Sequence, residues 1–295
     1  MRWSTALLIT IPTAALFCAS CNPPTSSAQA SATVAPAPTN LGPGVHRIVN
    51  DTYAGWSVDP QEGFAGLVSA YWTVPAVSCG DAIPATRPFN QSRAAVWVGT
   101  WGPPKDGNAW LPQVGTASIC AAGGARIRYV AVVQMFHARG QPPTTLSIKV
   151  APGDRVYAKI EYVTYDSAGR QQYRYQFKNL SRGGSASGSL QTGPGVMYPN
   201  ANWEGGVIVE LESDAGSLLN PPRIGGLAKF STIRITGAEV DGTPLDKFPG
   251  ACSQSSGPCD LYYWDLRSGD LSKRLATVSL RGGDGSFTVT WDAYH

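Results

Sequence analysis

The residues best equipped for chemistry in this chain are one amide and a handful of carboxylates. Gln113 sits between apolar neighbours in Val96–Gly115, VWVGTWGPPKDGNAWLPQVG, which also holds Trp97, Trp101 and Trp110. The stretch reads as a strand carrying Trp97 and Gly99, a Pro/Gly-rich loop, and a second strand that delivers Gln113 just before Gly115. Tryptophans this close to a lone amide suit a groove wall. Glutamate is scarce: Glu62, Glu161, Glu204, Glu210, Glu212 and Glu239 are the full set, and three fall within Asn202–Glu212. Alternate residues of a strand share a face, so Trp203, Val207, Val209 and Leu211 belong to a core. Glu204, Ile208, Glu210 and Glu212 then turn to solvent or to a groove. A solvated face is the ordinary reading of any one such acid; three beside Trp203 raise the case for a site where carboxylates exchange protons. Glu210, Glu212 and Asp214 on one face also fit paired-carboxylate glycoside hydrolysis, although Ala215-Gly216-Ser217 follows at once and marks a strand leaving its sheet.

Other chemistries lack their residues. There is no G-x-S-x-G elbow, no H-E-x-x-H and no phosphate-binding glycine loop. His46, His137 and His295 are isolated in sequence, which disfavours a Ser/His/Asp triad.

The two ends of the charge scale are also excluded. The net charge is +3 and becomes +2 without Met1–Ala30, whose one charge is Arg2, so nothing argues for nucleic acid. Arg2 precedes the apolar run Ala6–Ala19, broken by Pro12, and residues 1–30 read as a signal peptide. Ala28-Gln29-Ala30 has the small-x-small form of a cleavage site. Cys18-Ala19-Ser20-Cys21 resembles a lipoprotein box, with Cys18 where leucine is usual, so a lipid anchor at Cys21 is the alternative to secretion. In an oxidising compartment the remaining Cys79, Cys120, Cys252 and Cys259 form disulfides. Closeness in sequence pairs Cys252 with Cys259 and leaves Cys79–Cys120 to clamp the region around Gln113. Zinc is the rival, but none of the four stands in CxxC spacing.

Residues 31–45 are small and Pro-rich and read as a linker or short pro-segment. Residues 46–295 read as one domain rich in strands and turns, expected to be a monomer. Strand signals cover Leu67–Thr73, Ala95–Gly99, Ala109–Gly115, Arg126–His137, Thr144–Val150, Arg155–Tyr165, Gln172–Asn179, Val207–Leu211, Ala228–Ile235, Ala276–Leu280 and Ser286–Trp291. Within Arg126–His137, regular alternation puts Val130, Val132, Gln134 and Phe136 on one face. Arg182–Ser189, RGGSASGS, reads as a flexible loop. The fold class is all-β, an antiparallel two-sheet sandwich or related barrel.

Several short motifs then resemble, in order, those of the glutamic peptidases, the eqolisin or peptidase G1 family. They are Tyr71-Trp72-Thr73-Val74-Pro75, Trp97-Val98-Gly99, Leu111-Pro112-Gln113-Val114-Gly115, Ala151-Pro152-Gly153-Asp154, Lys178-Asn179-Leu180, Asn200-Ala201-Asn202-Trp203, Ile208-Val209-Glu210, Phe230-Ser231-Thr232-Ile233 and Gly285–Trp291. They run from about Tyr53 to Trp291. The resemblance, to a divergent bacterial-type member, implies a concanavalin-like or jelly-roll sandwich with a concave groove. It also implies secreted endopeptidase activity on protein or peptide substrates in acid, through a Gln–Glu dyad and water, without metal or cofactor. Gln113 matches the family glutamine. Its amide does not titrate and can donate to an oxyanion in acid, while a glutamate near its ordinary pKa of about 4.3 can relay protons.

The glutamate is displaced. The family segment resembles N-A-E-W-I-V-E, whereas this chain has Asn200-Ala201-Asn202-Trp203-Glu204-Gly205-Gly206-Val207-Ile208-Val209-Glu210. Aligned from the left, the acid becomes Asn202; aligned from the right, it becomes Gly206. Glu204 lies between the two and is the expected catalytic partner, with a bulge at Gly205-Gly206 as one way to deliver it, and Glu210 is the fallback. Trp97, Trp101, Trp203, Glu210 and Gln134 are expected to line the substrate groove. Trp101 replaces a family aspartate and Gln134 stands near a family glutamate, so a milder pH optimum or loss of activity is expected. The alternatives are a catalytically dead peptide- or glycan-binding protein on the same sandwich and, further off, a glycoside hydrolase.

Overall fold

A computed structural model describes residues 41, 43–60, 65–79, 92–101, 110–120, 126–137, 142–193, 204–210, 226–251, 258–268, 270–279 and 281–292. They lie within one compact unit, Val34–His295. Among them there are two large sheets and a single short 3-10 turn, Leu245–Lys247.

The first sheet runs Val45–Asn50, Pro258–Leu266, Tyr53–Pro60, Glu204–Glu210, Ser92–Trp101, Trp110–Cys120, Ile127–His137 and Thr144–Thr145. The second runs Gly184–Gln191, Gln171–Asn179, Arg155–Tyr165, Leu67–Thr73, Ile233–Val240, Phe287–Trp291 and Ala276–Val278. Both are antiparallel along these paths except where Val45–Asn50 lies parallel to Pro258–Leu266. The all-β sandwich expected from the turn-punctuated strand pattern is the fold found.

Period-two alternation sorts the side chains. Trp56, Val58, Val96, Val98, Val114, Val133, Val207, Val209, Leu261 and Tyr263 leave the first sheet for the core, where they meet Val68, Trp72, Ile160, Phe177, Ile233 and Val289 of the second. Burying such residues stabilises the fold by roughly 1.5–3 kcal/mol for each large apolar side chain. Trp72 keeps its indole satisfied inside by donating to Thr116 Oγ1 at 3.0 Å. The opposite face of the first sheet carries the intervening residues, Ser57, Gly99, Trp101, Gln113, Gln134, Glu204 and Gly206 among them.

Some elements differ from their expected form. Arg182–Ser189 is not a loop: Gly184–Gln191 is an edge strand paired with Gln171–Asn179, its residues alternating in exposure. Gly and Ser lack strand propensity, but the tight turn at Asn179–Gly183 and a fixed register against a stronger partner impose the strand. Thr144–Val150 is a strand only over Thr144–Thr145. Ala228–Ile235 divides, with Lys229–Phe230 in a small two-stranded sheet and Ile233–Val240 in the second large sheet. Val45–Asn50, Tyr53–Pro60 and Pro258–Leu266 are strands that the pattern leaves unread.

Cys79 and Cys120 form a disulfide with Cα atoms 5.6 Å apart. Cys120 ends the strand that carries Gln113, seven residues or about 24 Å along it, so the bond fastens the far end of that strand and not the vicinity of the amide. Cys259 is also disulfide-bonded, and Cys252 lies outside the described residues. The signal segment, residues 1–30, lies outside them as well.

Candidate active site

A row of directly paired residues crosses the first sheet: Tyr262, Ser57, Gly206, Gly99, Gln113 and Gln134. Paired residues share a face, so all six look away from the core. Two glycines stand in the middle of the row, between Ser57 and Gln113, and leave the sheet bare there. Gly206 is held to that identity by Tyr53–Pro60: a Cβ at 206 would stand 2.7 Å from Ser57 Cβ and 2.7 Å from the Trp56 carbonyl oxygen.

Glu204 reaches this face by plain alternation. The strand Glu204–Glu210 pairs without interruption on both sides, so no bulge delivers the acid. Gly205 points into the core, where a Cβ would meet Ala65 at 2.6 Å and Val68 at 2.8 Å. Directly across from Glu204 is Trp101, whose Nε1 donates to Glu204 Oε2 at 2.5 Å. The other oxygen, Oε1, accepts from Ser57 Oγ in a short contact. Ser57 is fully buried and itself accepts from Trp264 Nε1 at 2.7 Å. The Trp101 and Trp264 rings meet edge to face with centroids 6.2 Å apart. Burial in this aromatic setting lifts the Glu204 carboxyl from 4.5 to about 7; the Ser57 and Trp101 hydrogen bonds oppose the rise, and Asp59 adds to it.

Gln113 is buried, and its Nε2 donates to Gln134 Oε1 at 2.8 Å. Position 134 thus supplies an uncharged acceptor that fixes the amide at every pH. Gln113 stands two strand spacings from Gly206, and Glu204 lies one same-face step further along. Their Cα atoms are therefore roughly 12 Å apart, a span that two facing side chains and a water can close.

The remaining expected site residues are distributed unevenly. Trp97 is on the groove face but fully buried with Ala95, Ala117, Val132 and Ile208, so it underlies the face rather than walling an open groove. Glu210 pairs with Ala95 and Tyr53, four residues or about 14 Å along the strand from Gly206, and is not brought near Gln113. Together with burial, it raises the Tyr53 phenol. Asn202, Trp203, Glu212 and Asp214 lie outside the described residues. Ser57 and Trp264 are site residues that the motifs do not single out. Their signal is nonetheless present: in Tyr53–Pro60, Ala54, Trp56 and Val58 alternate with Gly55, Ser57 and Asp59, and Pro258–Leu266 alternates likewise.

The peptidase A4 family model matches residues 51–251, more than half of the chain. The chain belongs to the peptidase A4 family, that of the eqolisins. Among solved structures, a scytalido-glutamic peptidase with a transition state analogue inhibitor is similar at TM-score 0.54 and 17% identity, over 82% of this chain and 100% of that one. SCP-B, an eqolisin in a complex with the tripeptide Ala-Ile-His, is similar at TM-score 0.50 and 16% identity, over the same shares. No curated protein matches. At such identities the likeness is one of fold, and the family assignment rests on the sequence model. In this eqolisin the register puts Gly206, in Gly206-Val207-Ile208-Val209-Glu210, in line with Gln113, while Asn202, the other aligned position, lies outside the described residues.

Proposed function

We propose that this eqolisin is a secreted endopeptidase in which Gln113 and Glu204 form the catalytic pair. The observation that carries this reading is the position of Glu204. Its carboxylate is turned onto Ser57, a member of the Gln113 row, although its own backbone stands one row away. The acid of the pair thus stands two residues from the row of Gln113 along its strand, and its side chain reaches into that row.

The chemistry follows from the groups. Ionised Glu204 takes a proton from a water over the bare Gly206–Gly99 floor, and that water attacks the scissile carbonyl. The Gln113 amide donates to the oxyanion of the tetrahedral intermediate. Glu204 then returns its proton to the departing amine, the C–N bond breaks, and the products are a carboxylic acid and an amine. Because a base acts in its deprotonated form and Glu204 is raised to about 7, cleavage weakens as pH falls through 7. The optimum is therefore milder than that of a strongly acid peptidase. The disulfide between Cys79 and Cys120 and the targeting segment support export.

The test is casein or quenched-peptide hydrolysis between pH 2 and 8. Gln113→Ala and Glu204→Gln are each expected to lower kcat by at least about 100-fold. A profile peaking below pH 3, or full activity in Glu204→Gln, overturns the pair. One observation favours a second reading, a peptide-binding protein without turnover: glycine occupies the in-line position 206. Binding of peptides without cleavage at any pH by the wild-type chain selects it.

A further inference from the structure

The Glu204 carboxylate is held by a directed chain of donors. An indole N–H can only donate, so Trp264 Nε1 donating to Ser57 Oγ at 2.7 Å sets the direction of the whole chain. The Ser57 lone pair is engaged and its proton is aimed at Glu204 Oε1. Trp101 Nε1 meets the other oxygen at 2.5 Å. Each carboxylate oxygen receives one donor and keeps a lone pair for other partners. Ser57 has no exposure, which removes it as a nucleophile. It also lies in the row of Gln113, whereas the backbone of Glu204 does not.

We infer that Ser57, oriented by Trp264, is a positioning residue that draws the carboxylate of Glu204 along its strand into the row containing Gln113, holding it on the flank of that strand away from Gln113, and favours its ionised form. The inference rests on the assignment of Glu204 as the catalytic acid. It explains why position 206 is a glycine: the space beside Ser57 that a side chain at 206 would enter is already closed to a Cβ. Ser57 has two separate parts in the arrangement: its hydroxyl donates to Glu204 Oε1, and its Cβ and Cα, with the Trp56 carbonyl oxygen, exclude a side chain at 206. Trp101 completes the hold from the opposite strand, at the position where the resemblance places an aspartate.

The roles differ in what they leave behind. Without the Ser57 hydroxyl, the carboxylate loses a charge-assisted hydrogen bond and its conjugate acid is favoured. Without the Trp264 N–H, Ser57 remains but is free to turn its proton elsewhere, so the effect has the same sign and a smaller size.

The experiment follows Glu204 directly, by 13C NMR titration of its side-chain carboxyl in the full chain, alongside the pH profile of kcat/KM. Ser57→Ala is expected to raise both midpoints by about one to two pH units and to lower kcat/KM at pH 6 by ten-fold or more. Trp264→Phe shifts both upward by less, and Ser57→Thr, which keeps the hydroxyl, restores the wild-type midpoint. Near-UV circular dichroism identifies folded variants. An unmoved Glu204 titration in folded Ser57→Ala overturns the inference. If instead the titration moves as expected in a chain that never cleaves peptides, the peptidase reading fails while the hold on Glu204 stands.

Discussion

Glu204 and Trp101 face each other across adjacent antiparallel strands, and the indole N–H of one donates to the carboxylate of the other at 2.5 Å. The resemblance to glutamic peptidases leads to an aspartate at position 101 and no acid at 204. Here the charge stands on the other strand of the same pair and a neutral donor opposes it. An acid facing an acid would leave one of the two protonated over a wide range of pH. Facing an indole, Glu204 ionises according to its burial, offset by the hydrogen bonds it accepts and reinforced by Asp59.

That difference predicts an unusual pH dependence of stability. The folded pKa of Glu204 is about 7 against 4.5 in the absence of the fold, so the native state binds more protons between those values. This contribution to stability is full below about pH 4.5 and is lost as pH rises through 7, by on the order of 3 kcal/mol. Glu204→Gln cannot ionise and should lack this component. Urea unfolding at pH 4.5 and 7.5 checks it, and parallel behaviour of the two proteins would refute it. Asp241, raised to about 6 by burial, contributes in the same direction to both and cancels in the comparison.

Gln134 offers a second test, because it touches the proposed oxyanion donor and carries no charge of its own. Its carbonyl oxygen accepts from Gln113 Nε2 at 2.8 Å in a buried setting. Gln134→Leu strips that acceptor and frees the amide to rotate, with an expected loss of roughly 1–3 kcal/mol, or about 10- to 100-fold in kcat. KM should change less, since the amide serves the intermediate more than the bound substrate. Gln134→Glu keeps the acceptor and should retain the greater part of the activity at pH 7. Equal losses in both variants would show that the hydrogen bond is not what matters.

Much of this site is legible in the chain, and the reasons are local. Gln113 and Gln134 are placed by period-two alternation in strands with unambiguous apolar partners, Val114 and Val133. Glu204 is assigned its face the same way. What alternation along one strand cannot give is register between strands distant in sequence. Ser57 and Glu204 are 147 residues apart and Ser57 and Trp264 are 207 apart, so their contacts are created only by pairing. Trp97 shows the reverse: its face is legible, but its burial depends on Ile208 from the adjacent strand and Val132 from the next but one.

The disulfide predicts a stability effect separable from function. Cys79–Cys120 closes 41 residues, and constraining the unfolded chain over such a loop contributes roughly 4 kcal/mol. The paired replacement of Cys79 and Cys120 by alanine should lower the melting temperature by about 10 °C. Because the bond lies about 24 Å along the strand from Gln113, kcat below the transition should be unchanged. Thermal melts together with assays at 20 °C test this, and a large loss of kcat in the folded variant would contradict it.

Position 206 gives the sharpest contrast between restoring a motif and restoring a site. Gly206→Glu puts an acid in line with Gln113, at the position that alignment through Ile-Val-Glu gives it. The structure argues against that placement, because the new Cβ meets Ser57 Cβ and the Trp56 carbonyl oxygen, both at 2.7 Å. Backbone cannot yield as a side-chain tip can, so overpacking should destabilise by roughly 1–3 kcal/mol even in Gly206→Ala. The glutamate would also bring a second carboxylate beside Glu204, raising the pair and lowering activity at pH 7. Replacing Ser57 by glycine in the Gly206→Glu background removes the Cβ obstruction, leaving Ser57 Cα and the Trp56 carbonyl oxygen, and should recover part of the stability. Urea midpoints for the single and double variants measure that recovery, and a Gly206→Glu protein as stable as wild type would mean that Tyr53–Pro60 does not hold position 206 closed.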